Sequence, residues 1–459
     1  MQKNPRQAAF TVLNRVFGGG AYADILLERE LESLGPTDRP LATEITYGVL
    51  RWYIRLDWII DSFSTIRAKK LETTVLNALR VGLYQLFFLS RIPTRAAINE
   101  SVELVKKEGR RKAGFVNAVL RKADSNRDEV PFPDPEKEPL KHVSIVYSHP
   151  EWLVRRWAQR YGVEETSRLC RANLEIPPKT IRANTLLIGR DELAVELAKE
   201  GFEVKKTVYS PDGLIVTGGK SPLDSRDPRF YIQDEASQLV SYLVGPRPGE
   251  AILDACSAPG GKTTHMAQLM ENRGTILAVD KYPGRMKTVK ELLDRFDIKI
   301  VKTVTADASV PGFLKKGVEP GGGPGGPGGA EGAGGFDAVL IDAPCSGLGV
   351  LRRSPDIKIR RSECDIKELA AGQERLIANL SGYLKRGGRL VYAACTLEPE
   401  ETDSVIKGFL KGRTDFVLED AGEFLPGGPG ALVDGEGFLR TYPHRHGTDA
   451  FFAARLKRP

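Results

Sequence analysis

Two cysteines stand in short polar turns that follow apolar runs: Cys345 in DAPCSG (342–347) and Cys395 in YAACT (392–396). A thiol held just before a helix is favoured as the thiolate by the free amides of the helix end. A thiolate so placed can form a covalent bond to an electron-poor carbon. A third stretch, LDACSAPGGKTTH (253–265), ends in Gly-Lys-Thr like a phosphate-gripping loop. A Walker-type loop needs a glycine five residues before its second glycine, whereas this chain has Cys256 there. Pro259 removes another amide from the would-be cradle, and the Gly-x-Gly-x-x-Gly of dinucleotide folds is absent. What remains is a strand, a turn and a helix start. Its amides, with Gly260 and Gly261 beside them, let a carboxylate or a ribose approach the backbone.

Four aspartates close apolar runs that read as parallel strands: Asp254, Asp280, Asp307 and Asp342. Open α/β sheets bind ligands at that carboxyl edge. Asp280, 19 residues after Gly261, suits the two hydroxyls of a ribose, and Asp307 an adenine amino group. An adenosine carrying an amino-acid tail, S-adenosylmethionine, matches this set. A thiolate beside a methyl donor points to alkylation at carbon 5 of a pyrimidine, because addition of sulfur at carbon 6 makes carbon 5 nucleophilic. Asp342 is the candidate to stabilise charge developing near ring nitrogen 3. The second cysteine, or a water on it, would serve loss of the carbon 5 proton and release of the sulfur. Chemistry alone does not rank Cys345 and Cys395.

These residues need a scaffold, and its elements are legible. Residues 5 to 122 carry helical stripes: Ala9, Val12, Leu13, Val16 and Phe17, then Leu41, Ile45, Val49, Trp52, Leu56 and Ile60, then Leu71, Val75, Leu79, Leu83 and Leu86. A linker rich in proline and acid follows (DEVPFPDPEKEP, 128–139). From His149 to about Arg229 helical and extended runs mix. From Tyr231 onward strands and helices alternate, which calls for a mostly parallel, doubly wound sheet. The expected domains are 1–130, all-helical; a linker at 131–148; 149–230, small and mixed; and 231–459, α/β, with a Gly/Pro insertion at 319–335.

The chain has 459 residues, 67 Lys and Arg against 60 Asp and Glu, and a net charge of +7. In residues 1–130, 21 basic residues face 15 acidic ones, so the excess sits at the front, the direction expected of a polyanion partner and, taken alone, equally that of a solvated surface. The runs KKEGRRK and LRRSPDIKIRR are candidates for phosphate contact. Five cysteines without a C-x-x-C pair suggest neither a disulfide framework nor a zinc site, and Cys170 and Cys364 read as buried structural thiols. His444 and His446 lack the neighbours a metal site needs. Neither a membrane-length apolar run nor a signal-peptide core is seen, so a cytoplasmic address is expected.

At these motifs the chain resembles the Nol/Nop/Sun group of RNA 5-methylcytosine methyltransferases, and within it the RsmB/Sun (Fmu) family acting on bacterial 16S rRNA. NPRQAAFTVLNRVF through GFVNAVLRK is similar to that family's NusB-like RNA-binding domain. FYIQDEASQLV, LDACSAPGGKTTH, DAPCSGLGVLRRSPDIK and YAACTLEPEE match its signatures in order. The resemblance implies an all-α NusB-like domain, a small α+β RNA-binding domain and a Rossmann-like methyltransferase domain. It implies that Cys256, Ser257, Ala258, Pro259, Gly260, Gly261, Lys262, Asp280, Asp307 and Asp342 bind S-adenosylmethionine. It also implies that Cys395 is the nucleophile and that Cys345 assists release. Ala394 departs from the family, which commonly has Thr before the nucleophile, and the Gly/Pro insertion is not a family hallmark. The partner implied is 16S rRNA at a loop or bulge whose cytosine can flip out of its stack, with no DNA, membrane or obligate protein partner. A tRNA methyltransferase and a non-catalytic assembly or antitermination factor are the alternatives.

Overall fold

The computed structural model describes residues 4–219, 223–314, 335–428 and 430–459. The Gly/Pro insertion expected at 319–335 lies outside them except for Gly335. The chain divides into two compact units, Met1–Ile176 with Val350–Glu363, and Pro177–Gly349 with Cys364–Pro459.

In the first unit the apolar stripes become the helices Pro5–Gly19, Ala23–Glu32, Arg39–Phe63, Thr73–Phe88, Thr94–Val105 and Arg110–Ser125. Leu13, Val49, Leu79 and Leu120 meet in one core from which water is excluded, so burial of each apolar face holds the bundle together. Asn4 caps the first helix by accepting the Arg6 amide, and Gly20, at φ +65°, ends it. Three more helices, Pro139–Val146, Glu151–Tyr161 and Val163–Ala172, belong to the same unit.

The second unit begins with β1 (Lys179–Ala183), β2 (Phe202–Lys206), β3 (Gly213–Gly218) and β4 (Phe230–Ile232). They pair antiparallel in the order β2-β3-β1-β4, and the Arg190–Lys199 helix supplies Leu193 and Leu197 to their core. The large sheet holds β5 (Ala251–Ala255), β6 (Thr275–Asp280), β7 (Val301–Thr305), β8 (Phe336–Asp342), β9 (Leu384–Ala394), β10 (Val417–Glu419), β11 (Leu439–Arg440) and β12 (Phe452–Lys457). Its order is β10-β12-β9-β8-β5-β6-β7, with β11 on β12.

Strands β5 to β9 are parallel, as the alternation predicts. The antiparallel β12 and β10 that extend the sheet beyond β9 were not foreseen. β12 is buried along nearly its whole length and so lacks the two-residue alternation that marks a half-exposed strand. The chain winds one way through β6 and β7 and the other way through β8 and β9. This switch opens a crevice beyond the carboxyl ends of β5 and β8.

Candidate active site

The loop after β5 is an unusual piece of backbone. Cys256 has φ +60°, a region most side chains avoid, and Gly260, at φ +104°, precedes the Gly261–Leu269 helix. Asp280 ends β6 and is nearly buried. It accepts the Tyr282 amide at 3.0 Å and the Ala258 amide at 3.3 Å, with Arg285 at 3.4 Å. Asp307 stands two residues beyond β7 and accepts the Ser309 hydroxyl at 2.6 Å and the Lys281 ammonium at 2.9 Å. Those two interactions, Ser309 foremost, hold its carboxyl down at about 2.

A cleft of about 270 Å³ joins these groups, with Cys256, Asp280, Asp307, Ser309, Pro344 and Gln373 among its walls. The other predicted loop residues, Ser257 to Lys262, are not among its walls. Ser257 is buried with no partner for its hydroxyl, the Ala258 carbonyl receives Arg285, Pro259 leads into Gly260, and Gly261 opens the helix.

Lys262 turns aside, its ammonium 2.7 Å from the Asp342 carboxylate and over the Phe451 ring. Asp254 is withdrawn from the cleft. It has no exposed surface, one oxygen bonds the Thr263 hydroxyl at 2.6 Å, and the other has no partner. Burial lifts its carboxyl to about 7.

The cysteines meet at the ends of neighbouring strands. β8 and β9 pair Asp342 with Ala393, and just beyond them the sulfurs of Cys345 and Cys395 are 3.2 Å apart. The hydrogen bond to Cys395, and then burial, push the Cys345 thiol up, so Cys345 stays a thiol that can donate toward the Cys395 sulfur. The support expected from a helix start is not what the structure provides. The nearest turns begin at Leu348 and Pro399, and the Asp403–Gly412 helix lies further on. Short polar links instead fix the two loops in place.

Glu401, fully buried, accepts the Ser346 amide at 2.8 Å, the Gln373 side-chain amide at 3.0 Å and the Thr396 hydroxyl at 3.1 Å, so one carboxylate holds both cysteine loops. The Ser346 and Thr396 hydroxyls bond each other at 2.9 Å, and Gln373 reaches the Pro344 carbonyl at 2.9 Å. Gly349 donates to the Cys395 carbonyl at 3.0 Å. A Cβ on Gly349 would lie 2.1 Å from the Ala450 carbonyl oxygen, which no side chain can satisfy. Glu401, Gln373 and Gly349 were missed in the sequence. Glu401 sits six residues after Cys395 in LEPEE, but only burial separates it from its acidic neighbours.

Two expectations need correction. Cys364 is exposed, although Cys170 is buried as expected. The run LRRSPDIKIRR is largely inside the first unit. There Lys358 donates to the Arg51 and Ser148 carbonyls at 2.7 and 2.6 Å, its ammonium pulled down to about 7 by burial, and Arg360 pairs with Asp356. Basic residues followed by Ile357 and Ile359 look like surface in one dimension, but the apolar ones draw the segment inward. In KKEGRRK, by contrast, Lys107, Arg110 and Arg111 are exposed.

Comparison with known proteins bears on this geometry. The 16S rRNA methyltransferase RsmB/F family matches residues 241–457, the NusB family residues 3–125, and the ferredoxin-like domain of the RsmF/B-like methyltransferases residues 149–221. A Bacillus subtilis relative, the probable ribosomal RNA small subunit methyltransferase B, is 36% identical over 99% of this chain and 98% of its own. The chain belongs to the RsmB/F family of rRNA methyltransferases. Among solved structures, that of PH0851 superimposes over 100% of this chain and 99% of its own with TM-score 0.79 and 27% identity. NSun6 from Pyrococcus horikoshii, solved with SFG, covers 67% of this chain with TM-score 0.56 and 26% identity, matched over 98% of its own length. The helical front is therefore NusB-like and the α/β sheet is the family's methyltransferase domain. Among the described residues no helix is long and apolar enough to cross a membrane.

Proposed function

We propose that this chain methylates carbon 5 of a cytosine in 16S rRNA, in the cytoplasm, using S-adenosylmethionine and a transient bond from Cys395 to carbon 6. The contact between the Cys345 and Cys395 sulfurs carries the reading, because it joins two thiols at the sheet edge that borders the Asp280 cleft. The cofactor would supply an electrophilic methyl group. The residues present suit it: Asp280 and Asp307 line one cleft, an amide-rich helix end opens at Gly261, and the buried Ser257 hydroxyl lacks a partner. SFG, found with the NSun6 relative, is an analogue of it.

Cys395 adds to carbon 6, and the ring electrons shift toward carbon 5 and nitrogen 3. Asp342, ion-paired with Lys262, relays a proton from that ammonium toward nitrogen 3 and so offsets the charge there. Once carbon 5 is methylated, a water held beside the Cys345 thiol takes the carbon 5 proton. The carbon–sulfur bond then breaks and Cys395 leaves as thiolate. Exposed Lys107, Arg110 and Arg111 supply phosphate contacts in the NusB-like domain.

The test is trapping. With 16S rRNA fragments containing 5-fluorocytosine and with methyl donor, the wild-type chain should form an adduct that survives denaturing gels, and Cys395→Ala should form none. Modification of tRNA alone in bisulfite mapping would redirect the substrate, and no adduct with any RNA would refute the mechanism.

A further inference from the structure

Arg182 in β1 has no exposed surface, and it reaches the cofactor loop from the small sheet. Its Nη1 donates to the Gly261 carbonyl at 2.6 Å and also to the Gln233 side-chain oxygen. Its Nη2 donates to the Thr264 hydroxyl at 2.9 Å, and its Nε to the Gln268 side-chain oxygen at 3.1 Å. Thr264 passes the link on by donating to the Gly260 carbonyl at 2.9 Å.

Tyr231, paired with Arg182 in the β1–β4 register, closes the same surface. A Cβ on Gly261 would lie 2.7 Å from the Tyr231 ring and 3.4 Å from Gln233. The small sheet thus presses directly on Gly261, where the backbone turns into the helix.

All four acceptors of Arg182 are neutral. Burying a guanidinium is costly, and an apolar side chain would fill the space without that cost. Burial lowers its pKa only to about 10, so it stays charged at neutral pH. What the site uses is therefore the rigid fork of donors and the charge, which an apolar residue lacks. The Arg182 charge sits on the first turn of the helix and adds to the positive end of the helix dipole.

Resting on the cofactor reading above, we propose that Arg182 is a positioning residue for S-adenosylmethionine. It fixes the Gly260 and Gly261 carbonyls so that the opposed amides point at the ligand's carboxylate, and it reinforces the positive potential there. The small ferredoxin-like domain is then part of the cofactor site.

Calorimetry with S-adenosylhomocysteine and with 5′-methylthioadenosine, which lacks the amino-acid tail, tests this on the full chain. Arg182→Met should weaken S-adenosylhomocysteine about tenfold or more and 5′-methylthioadenosine under about threefold, with Arg182→Lys in between, as loss of charge-assisted hydrogen bonds predicts. Thr264→Val, a small change that keeps the fold even where Arg182→Met does not, should weaken S-adenosylhomocysteine by about threefold. The double variant should bind no worse than Arg182→Met, since both act through one link.

Equal losses for both ligands, or affinity within about twofold of wild type in Thr264→Val and in folded Arg182→Met, would overturn the proposal. A wild-type chain that binds neither ligand would sink the cofactor reading itself, a result distinct from normal wild-type binding with unaffected variants.

Discussion

Cys345 and Cys395 are 50 residues apart in sequence, and their sulfurs are 3.2 Å apart in space. A thiol that close to the proposed nucleophile can donate a hydrogen bond to its sulfur, and it can also hold the water that would receive a proton once the base has reacted. In the proposed mechanism one contact would therefore serve both attack and release.

If Cys345 acts in release, Cys345→Ala should still attack its RNA but turn over slowly. Denaturing gels of enzyme mixed with ordinary substrate RNA and donor should show a covalent complex that wild type does not accumulate. Multiple-turnover rates should fall on the order of 10²-fold or more, as loss of a proton-transfer group predicts. Normal turnover would remove Cys345 from the mechanism.

Alkylation should separate the two thiols. The Cys345 thiol is held up chiefly by its hydrogen bond to Cys395, so at pH 7 to 8 iodoacetamide should label Cys395 before Cys345. Replacing Cys395 by Ala deletes that bond, lowers the Cys345 pKa and should speed its labelling. Each unit of fall gives roughly tenfold more thiolate while the pKa stays above the working pH. Peptide mapping by mass spectrometry distinguishes both sites from exposed Cys364.

Asp280→Ala should chiefly weaken the cofactor. The carboxylate also holds the Ala258 and Tyr282 amides, so both ligand contact and loop shape suffer. A loss of about tenfold to a hundredfold in S-adenosylhomocysteine affinity is expected from charge-assisted hydrogen bonds. Calorimetry checks it, and unchanged affinity would take Asp280 out of the site.

Glu401→Ala strips the shared acceptor from the Ser346 amide, the Thr396 hydroxyl and the Gln373 side chain. The cysteine loops should drift, and kcat should fall on the order of 10²-fold, the effect of misplacing a reacting group by about 1 Å. S-adenosylhomocysteine binding should persist, and a parallel loss of that binding would show general damage instead.

Asp254 ties stability to pH. Its folded value of about 7 lies above the ordinary carboxyl range, so folding takes up a proton between about pH 4 and pH 7. The residue is least unfavourable below about pH 4, and stability declines as pH rises through that window. Asp254→Asn can keep the Thr263 bond without the buried charge. It should raise the melting temperature at pH 8 by an amount equivalent to at most about 4 kcal/mol and make little difference at pH 4. Identical melting curves for the two proteins at pH 8 would contradict this.

The sequence by itself determined the order of the architecture and named the candidate reacting groups. Helical stripes from Ala9 to Leu86 and the alternating pattern from Tyr231 are local, and so are the motifs around Gly260, Cys345 and Cys395, because turn chemistry and periodicity need only neighbours along the chain. Three things were decided only in three dimensions: that the two sulfurs touch, that Glu401 rather than a helix end organises them, and that Lys358 is packed inside while Cys364 is left outside. Arg182 is the clearest instance. In PKTIRANTL it is one more basic residue, and only the pairing of β1 with β4 and their packing on the Gly261 helix exclude water around it. Burial and long-range contact depend on which surfaces meet, and no local pattern of residues records that.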